Sequence, residues 1–324
     1  METTLLNLSY FGVINILIVF LGYLFVKREM VLVGWIILAS SVVIIHLIFL
    51  HQGPLIRMLA IIATTFTAIK PIAVTQSYKH KHKHVTLKFN QWLAFAIGWA
   101  GMRAQPFETL GQKQLPNAWP MIKFGISRIV AGLLLIELAH ILVLVPLNPN
   151  LIYILVSAAL LIGLSLILHF GFLSISAGMW RLCGVNTYLL FRQPAKSTSL
   201  TELWSKRWNI AFSEMTAVAV FRPIKSKFGS AAALMAAFIF SGLLHELALS
   251  VPVNSGYGLP TLYFTIQGIL VLTEKVLANN KVMFLQNKII ARIWVFFWLV
   301  VPMPLLFHPQ FIKQILWPLA GLHF

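Results

Sequence analysis

A histidine and a glutamate lie side by side within a long apolar stretch of the chain. The segment Ser241 to Leu249 reads SGLLHELAL, which places His245 and Glu246 inside a predicted transmembrane helix. Ionisable side chains are costly at membrane depth, and those that occur there tend to face a cavity or a pathway. A neutral imidazole in a dry site can accept a proton from a hydroxyl group, which is the task of a general base. A buried histidine bonded to a neighbouring helix is the competing interpretation.

Glu246 is a separate candidate. Adjacent residues on a helix do not face each other, so we expect Glu246 to be a packing or cavity partner and not the group that orients His245. The segment lacks the second histidine of the HExxH pattern, so it does not support a zinc metalloprotease site.

A polar and aromatic segment, Trp204-Ser-Lys-Arg-Trp208-Asn209, precedes the histidine. We expect Ser199 or Thr201 to cap a helix that runs through both tryptophans, which are four residues apart and would share a face. Upstream, the mixed pattern of residues 180–191 favours an amphipathic helix at the membrane interface.

Glu137 and His140 form an E-x-x-H pair on one face of another predicted span. Such pairs bind di-iron in helical bundles, but a di-iron site needs several further carboxylate or histidine ligands at the same depth. We therefore expect no metal, and assign the pair either to the wall of the polar cavity or to a structural role. The run from Lys79 to His84 (KHKHKH) is expected to be a solvated basic loop.

The composition predicts an all-α membrane protein. Of the 324 residues, 59% are hydrophobic and 10% are charged, whereas soluble domains carry about 25% charged residues. The predicted fold is a polytopic transmembrane helical bundle of about eight spans with interfacial or re-entrant helices, forming one membrane domain over 1–324. The first apolar segment lacks a basic leader and a cleavage site, so we expect it to be retained. The predicted spans are 5–26, 31–50, 55–69, 126–145, 151–173, 230–250, 259–277 and 291–307.

The positive charge predicts an orientation. The net charge is +17, and the Lys and Arg residues fall in alternate loops, while the turns at 51–54, 146–150 and 251–258 carry none. The positive-inside rule then places the basic loops in the cytoplasm and the N-terminus on the other side. This alternation requires that residues 91–101 dip into the membrane and return, or lie at its interface. Because the charge is spread over short membrane loops, nucleic-acid binding is not expected.

Three motifs occur in order: LWSKRWN from Leu203 to Asn209, FRPI from Phe221 to Ile224, and FxxSGLLHEL from Phe238 to Leu247. Together they resemble the wax synthase-like branch of the membrane-bound O-acyltransferases. The resemblance spans about 200–250, which would be the catalytic region, and the rest of the chain agrees only in hydropathy.

The resemblance implies an enzyme that transfers a fatty acyl group from acyl-CoA, as co-substrate, to the hydroxyl of a lipid alcohol. His245 would be the general base, and Asn209 would hydrogen-bond near the reacting centre, beside His245 in a cavity open to the basic face. Trp204 and Trp208 would frame the tunnel, while Arg207 and Arg222 lie where the phosphates of acyl-CoA would arrive. Glu246, Glu137 and His140 are further candidates for the wall of the substrate cavity. No cofactor is expected.

Alternatives remain open from the residues alone. The acceptor could be a sterol, a diacylglycerol or another small hydroxyl compound, since cavity shape decides acceptor choice. A membrane lipid transporter or flippase would use Glu137, His140 and His245 as a proton relay, but it calls for internal repeats that are not evident. A non-enzymatic scaffold would leave the motifs unexplained. The sequence does not distinguish a bacterial inner membrane from the endoplasmic reticulum.

Overall fold

The computed structural model describes residues 2–80, 85–280, 282 and 287–323, and these residues form helices and connecting turns. The helices are α1 (Glu2–Lys27), α2 (Val31–Ile48), α3 (Pro54–His80), α4 (Phe89–Gly98), α5 (Ala118–Val143), α6 (Pro149–Ser165), α7 (Leu173–Leu182), α8 (Leu200–Glu202), α9 (Ile210–Thr216), α10 (Arg222–His245), α11 (Leu259–Asn279), α12 (Lys288–Val300), α13 (Met303–Leu306), α14 (Pro309–Phe311) and α15 (Trp317–Leu319). Five wide π-helical turns interrupt or extend them, at Leu166–Phe172, Leu203–Arg207, Ala217–Phe221, Glu246–Ser250 and Ile312–Leu316.

Within the described ranges, eight helices are long and apolar enough to cross a membrane. Their outer faces are apolar, as on α5, where Leu133, Leu134, Leu138 and Ile141 are exposed. Such a surface is stable in lipid and not in water. The protein is therefore an integral membrane protein of the polytopic helical class. The helix ends fall into two groups, here called the basic end (28–30, 85–117 and 183–209) and the opposite end (49–53, 144–148 and 251–258).

The third span is longer than its hydropathy indicates. We predicted 55–69, whereas the helical span covers Pro54–Lys79. Its second half contains polar residues that lower the hydropathy, but Lys70 and Thr75 are each only 2% exposed because they face the bundle interior. Buried polar side chains with internal partners do not end a membrane helix.

Lys70 explains how the half-length helix α4 enters the bundle. The Lys70 ammonium donates to the carbonyl oxygens of Phe95 (3.0 Å), Ala96 (2.7 Å) and Trp99 (2.7 Å). These carbonyls belong to the end of α4, where a positive charge is favourable. Lys70 lies about 15 Å from the basic end of α3, at 1.5 Å per residue. The end of the segment 89–99 is therefore held inside the bundle, against the buried part of α3.

Close backbone approach joins α5 to α6 and α7. A Cβ atom on Gly132 would lie 2.5 Å from the carbonyl oxygen of Gly163, so only glycine fits at this crossing. Small residues at such crossings let membrane helices pack by van der Waals contact. The pair fixes the long α6–α7 segment, which carries His169, against α5.

The predicted interfacial helix at 180–191 is wrong. Helix α7 ends at Leu182, and the chain turns at Gly184 with a φ of +81°. Thr187 Oγ1 donates to the Ala177 carbonyl (2.6 Å), which folds the following residues back along α7. Side-chain bonds to the preceding helix thus replace the helix that the amphipathic pattern favoured.

The opposite end contains one arginine that the charge alternation does not account for. Arg57 lies one turn into α3 and is 2% exposed. It donates to Asn254 Oδ1 (3.2 Å) and contacts His46 Nδ1 (3.1 Å), and so joins α2, α3 and the loop 251–258. Arg57 therefore has a structural role, which is to join these three elements inside the protein.

Residues 303–322 cover the opposite end. Trp317 Nε1 donates to Ser157 Oγ (3.0 Å) on α6, and the Ala320 carbonyl contacts His140 Nε2 (2.9 Å) on α5. Phe311, Ile312 and Leu316 join a buried apolar cluster with Leu249 and Phe264. The C-terminal segment therefore closes the bundle behind the segment that carries His245.

Replacing Lys70 with methionine should loosen α4. The change would leave three buried carbonyl groups without their charged donor, and hydrogen bonds to charged groups contribute about 1.5–3 kcal/mol each. We expect a clearly lower thermal midpoint of the purified protein in detergent for Lys70→Met. Exposed Lys79→Met is the matched control, and equal midpoints for the two variants would contradict the role given to Lys70.

Candidate active site

His245 is the last residue of α10 and is directly followed by the π turn Glu246–Ser250. Its Nδ1 atom lies 2.7 Å from the carbonyl oxygen of Ser241, one turn earlier on the same helix. A carbonyl oxygen only accepts, so Nδ1 carries the proton and the neutral ring has its lone pair on Nε2. The helix itself thus sets the tautomer that a general base needs.

Two aromatic rings flank the imidazole. The ring of Phe264 on α11 lies 4.3 Å from the His245 ring, and the ring of Phe212 on α9 lies 6.1 Å away. His245 lies deep in the protein, yet its side chain keeps a partly accessible face. The imidazole is therefore bordered by aromatic side chains, with part of its own side chain left accessible.

Trp204 belongs to the same aromatic group. Its ring packs on Phe264 (5.7 Å) and edge-on to Phe238 (6.1 Å). Its indole nitrogen donates to Gln267 Oε1 (3.2 Å), and Gln267 in turn donates to the carbonyl of Trp298 (2.7 Å). Phe264 therefore lies between Trp204 and His245 and joins the two motifs.

Gln267 lies outside the residues selected from the sequence. Its side chain is fully buried and is bonded to Trp204 and to the backbone of Trp298. A glutamine within an apolar span carries the same signal as the histidine, because an amide at membrane depth needs partners. Its position in α11, outside the three motifs, explains why it was not selected.

Trp208 points to a different cluster. Its ring packs edge-on to Phe191 (5.1 Å) and lies 6.1 Å from the ring of His169. The prediction that Trp204 and Trp208 share a face is wrong, because the helix has already ended at Trp208, whose backbone is extended. The predicted start of this helix is confirmed, since Ser199 Oγ accepts from the backbone N–H of Glu202 (2.9 Å).

Asn209 occupies a left-handed backbone conformation, with φ 42° and ψ 65°. Its Oδ1 accepts from the backbone N–H of Phe212 (3.2 Å) and so caps α9. Asn209 and His245 thus meet the same residue, Phe212, one at its backbone and the other at its ring. No hydrogen bond joins the two side chains in the described part of the chain, and the amide nitrogen of Asn209 has no protein acceptor there.

The two candidate arginines differ in their surroundings. Arg207 forms an ion pair with Glu202 (2.7 Å) and also donates to the carbonyl groups of Arg192 and Gln193 (3.3 Å each). Burial acts to raise the pKa of Glu202, but the hydrogen bonds from Thr198 and Arg207 outweigh it and hold that pKa below its ordinary value. Arg207 is thus committed to folding 192–207, whereas Arg222 is exposed at the start of α10 and open to a ligand.

Glu246 accepts two hydrogen bonds from Thr261, from its backbone N–H (3.1 Å) and from its hydroxyl (3.0 Å). It therefore anchors the first turn of α11. This agrees with the expectation that Glu246 is a packing partner and does not orient His245.

The structure places Glu137 and His140 away from this site. Glu137 is exposed on the outer face of α5, and His140 contacts the Ala320 carbonyl at the opposite end. Neither residue contacts His245 or its aromatic neighbours in the described ranges. Those ranges also contain no group of three or more His, Cys, Asp or Glu side chains that could hold a metal ion. Most of the basic run 79–84 lies outside the described residues.

Comparison with known proteins matches residues 188–266 to the Membrane bound O-acyl transferase family. This region contains His245, Asn209, Trp204 and the two rings that flank the imidazole. The chain is 26% identical over 149 residues to "Probable long-chain-alcohol O-fatty-acyltransferase 2" of Arabidopsis thaliana, a match that covers 43% of each protein. It is 31% identical over 72 residues to "Long-chain-alcohol O-fatty-acyltransferase" of Simmondsia chinensis, covering 20% of each.

A third relative, "Probable long-chain-alcohol O-fatty-acyltransferase 1" of Arabidopsis thaliana, is 36% identical over 74 residues, which is 20% of the chain and 22% of the relative. The matches thus span less than half of the length of these relatives. They do not extend over the whole bundle.

Gly242→Ala should disturb the site from one turn before His245. A Cβ atom there would lie 2.6 Å from the Cα atom of Thr261, so α10 and α11 would have to separate. Overpacking of this kind costs about 1–3 kcal/mol, and we expect a lower thermal midpoint. Gly12→Ala is the control, because nothing lies within 4 Å of its Cβ position. An unchanged midpoint for Gly242→Ala would refute the close contact.

Proposed function

We propose that the chain is a wax synthase-like member of the membrane-bound O-acyl transferase family and that it transfers a fatty acyl group from acyl-CoA to the hydroxyl of a long-chain alcohol. The observation that carries the proposal is the His245 side chain, whose Nδ1 is bonded to the Ser241 carbonyl within the family-matched region. Its Nε2 lone pair is proposed to border the substrate cavity, whose aromatic neighbours suit apolar chains.

The proposed reaction balances without a cofactor. Nε2 of His245 accepts the proton of the alcohol hydroxyl as the oxygen attacks the thioester carbonyl carbon. A tetrahedral intermediate forms, and its collapse breaks the carbon–sulfur bond. The departing thiolate takes the proton back from Nε2, which yields the ester and free CoA. General-base assistance of this kind contributes about 10²–10⁴-fold to the rate.

Asn209 is proposed to stabilise the intermediate. Its Oδ1 is occupied as the cap of α9, which leaves the amide N–H groups to donate to the developing oxyanion. The left-handed backbone holds the side chain at the junction between the Trp204–Trp208 segment and α9. Phe212, which both residues contact, sets the spacing between Asn209 and His245.

The donor is proposed to enter from the basic end, with its acyl chain in the substrate cavity and its phosphates outside. Exposed cations in the first turns of α10, Arg222, Lys225 and Lys227, suit phosphate groups and are proposed to face the same side. By the positive-inside rule this end is proposed to be cytoplasmic. The aromatic wall of Trp204, Phe238 and Phe264 suits an unbranched alkyl chain, which supports a long-chain alcohol over a sterol as acceptor.

His245→Gln should abolish most of the transfer. The amide cannot accept the proton, so we expect kcat to fall about 10²–10⁴-fold. The measurement is release of free CoA by the purified chain supplied with palmitoyl-CoA and hexadecanol, with a sterol and a diacylglycerol as parallel acceptors. His46→Gln, a half-buried histidine at the opposite end, is the control and should retain activity. Normal turnover by His245→Gln would rule out the general-base role.

The Asn209→Asp variant distinguishes two roles of Asn209, as the cap of α9 and as a hydrogen-bond donor to the oxyanion. Aspartate keeps the oxygen that caps α9 and tolerates the left-handed backbone, but it removes the amide donor and adds a charge that repels the oxyanion. We expect kcat to fall at least about 10²-fold with little change in the thermal midpoint. Activity close to that of the wild type would show that Asn209 only caps the helix.

A further inference from the structure

Two buried polar atoms, Oε2 of Glu246 and Nε2 of His308, have no well-formed hydrogen bond. Glu246 directly follows His245 in the sequence. His308 caps α14 in the C-terminal segment and is 1% exposed. Buried polar groups almost always have a partner, either protein or ordered water. The Glu246 carboxylate and the His308 ring are also close enough to interact electrostatically. The pair therefore calls for an explanation.

The chemistry of the two atoms is complementary. Nδ1 of His308 accepts from the backbone N–H of Phe311 (3.4 Å), so the neutral ring carries its proton on Nε2. Burial lowers the pKa of His308, while the Glu246 carboxylate and the Leu249 carbonyl act in the opposite direction. Nε2 is thus a donor and Oε2 an acceptor, so the two atoms can satisfy each other, directly or through an ordered water.

The loop 251–258 encloses the His308 ring. A Cβ atom on Gly256 would lie 2.5 Å from the ring, and the positive φ of Gly256 (+73°) allows this close approach. Ser250 Oγ donates to the Gly256 carbonyl (3.2 Å), which joins the loop to the end of the π turn that begins at Glu246. His308 is therefore seated against the connection between α10 and α11.

The other oxygen of Glu246 leads to the candidate active site. Oε1 holds the backbone and hydroxyl of Thr261 in the first turn of α11. One turn further along α11, Phe264 packs on the His245 ring. One turn beyond Phe264, the side-chain oxygen of Gln267 accepts a hydrogen bond from the indole of Trp204. A displacement of Thr261 would thus also move Phe264 and Gln267, which contact His245 and Trp204.

We propose that Glu246 and His308 form a positioning pair, joined directly or by one bridging water, that holds the start of α11 and thereby seats Phe264 on His245. The inference rests on the proposed acyl transfer for its effect on rate, but the effect on α11 is independent of any reaction. His308 acts through Glu246 and touches no substrate. It lies far from the three motifs in the sequence, and only the fold brings it here.

Isosteric variants test the pair in the full-length chain. In His308→Asn, the side-chain oxygen replaces Nδ1 and still caps α14, but the Nε2 donor is lost. In His308→Gln, the amide nitrogen reaches the Nε2 position and restores the donor. Glu246→Gln turns the acceptor into a second donor facing Nε2–H while leaving an oxygen for Thr261. His46→Asn is the matched control, since it alters a half-buried histidine at the same end that makes no hydrogen bond with Glu246.

The first measurement is amide hydrogen exchange over residues 259–267, which needs no substrate. We expect exchange about tenfold faster in His308→Asn and Glu246→Gln, and close to wild type in His308→Gln and His46→Asn. The α5–α6 contact should be unchanged in all four. The second measurement is steady-state kinetics, in which kcat should fall about tenfold in the first two variants with both KM values within about twofold.

The double variant His308→Asn/Glu246→Gln should be no worse than the more impaired single variant, because one interaction is lost in each. Unchanged exchange at 259–267 in His308→Asn, or additive losses in the double variant, would overturn the pairing. If His308→Asn does not fold, Glu246→Gln and its exchange profile decide the same question. Absence of acyl transfer in the wild-type chain would count against the proposed function alone, because the exchange result still decides whether the pair exists.

Discussion

The hydrogen bond from Nδ1 of His245 to the Ser241 carbonyl is the interaction on which the rest of the site depends. In an apolar interior both imidazole nitrogens need a role, and this bond satisfies one with the backbone of the same helix. The other nitrogen is then left as an acceptor. Because the partner is a carbonyl and not a carboxylate, the bond places no negative charge beside the ring, which suits the proposed general-base role.

Helix α11 contacts three separate parts of the candidate site and so fixes their relative positions. Thr261, Phe264 and Gln267 lie on successive turns, and they contact Glu246, His245 and Trp204 respectively. Each contact links the helix to a different part of the motif region. Every polar side chain at membrane depth needs an internal environment that accommodates it, and this one helix provides a contact to each of the three residues.

The sequence predicted the membrane class, the number of candidate spans and the motif region, because hydropathy and charge reflect the bilayer directly, but the fourth and fifth spans, Ala118–Val143 and Pro149–Leu182, are longer than predicted. It underestimated the third span because Lys70 and Thr75 resemble a loop when their buried partners are unknown. It assigned one face to Trp204 and Trp208 because a π turn and an extended residue have no periodic signal. Gln267 and His308 could not be identified, since their roles come from contacts with residues far away in the chain. The shared role of Asn209 and His245 stays a prediction, supported by their common contact with Phe212.

Nε2 of His245 is proposed to take the proton of an alcohol beside a bound thioester. A cryo-EM structure of the chain with a non-reactive acyl-CoA analogue and hexadecanol would show whether the three groups meet. We expect the alcohol oxygen about 2.6–3.2 Å from Nε2, with the thioester carbonyl within reach of the Asn209 amide. Density for the alcohol or the thioester on a surface that His245 does not reach, with Nε2 facing only protein atoms, would contradict this proposal.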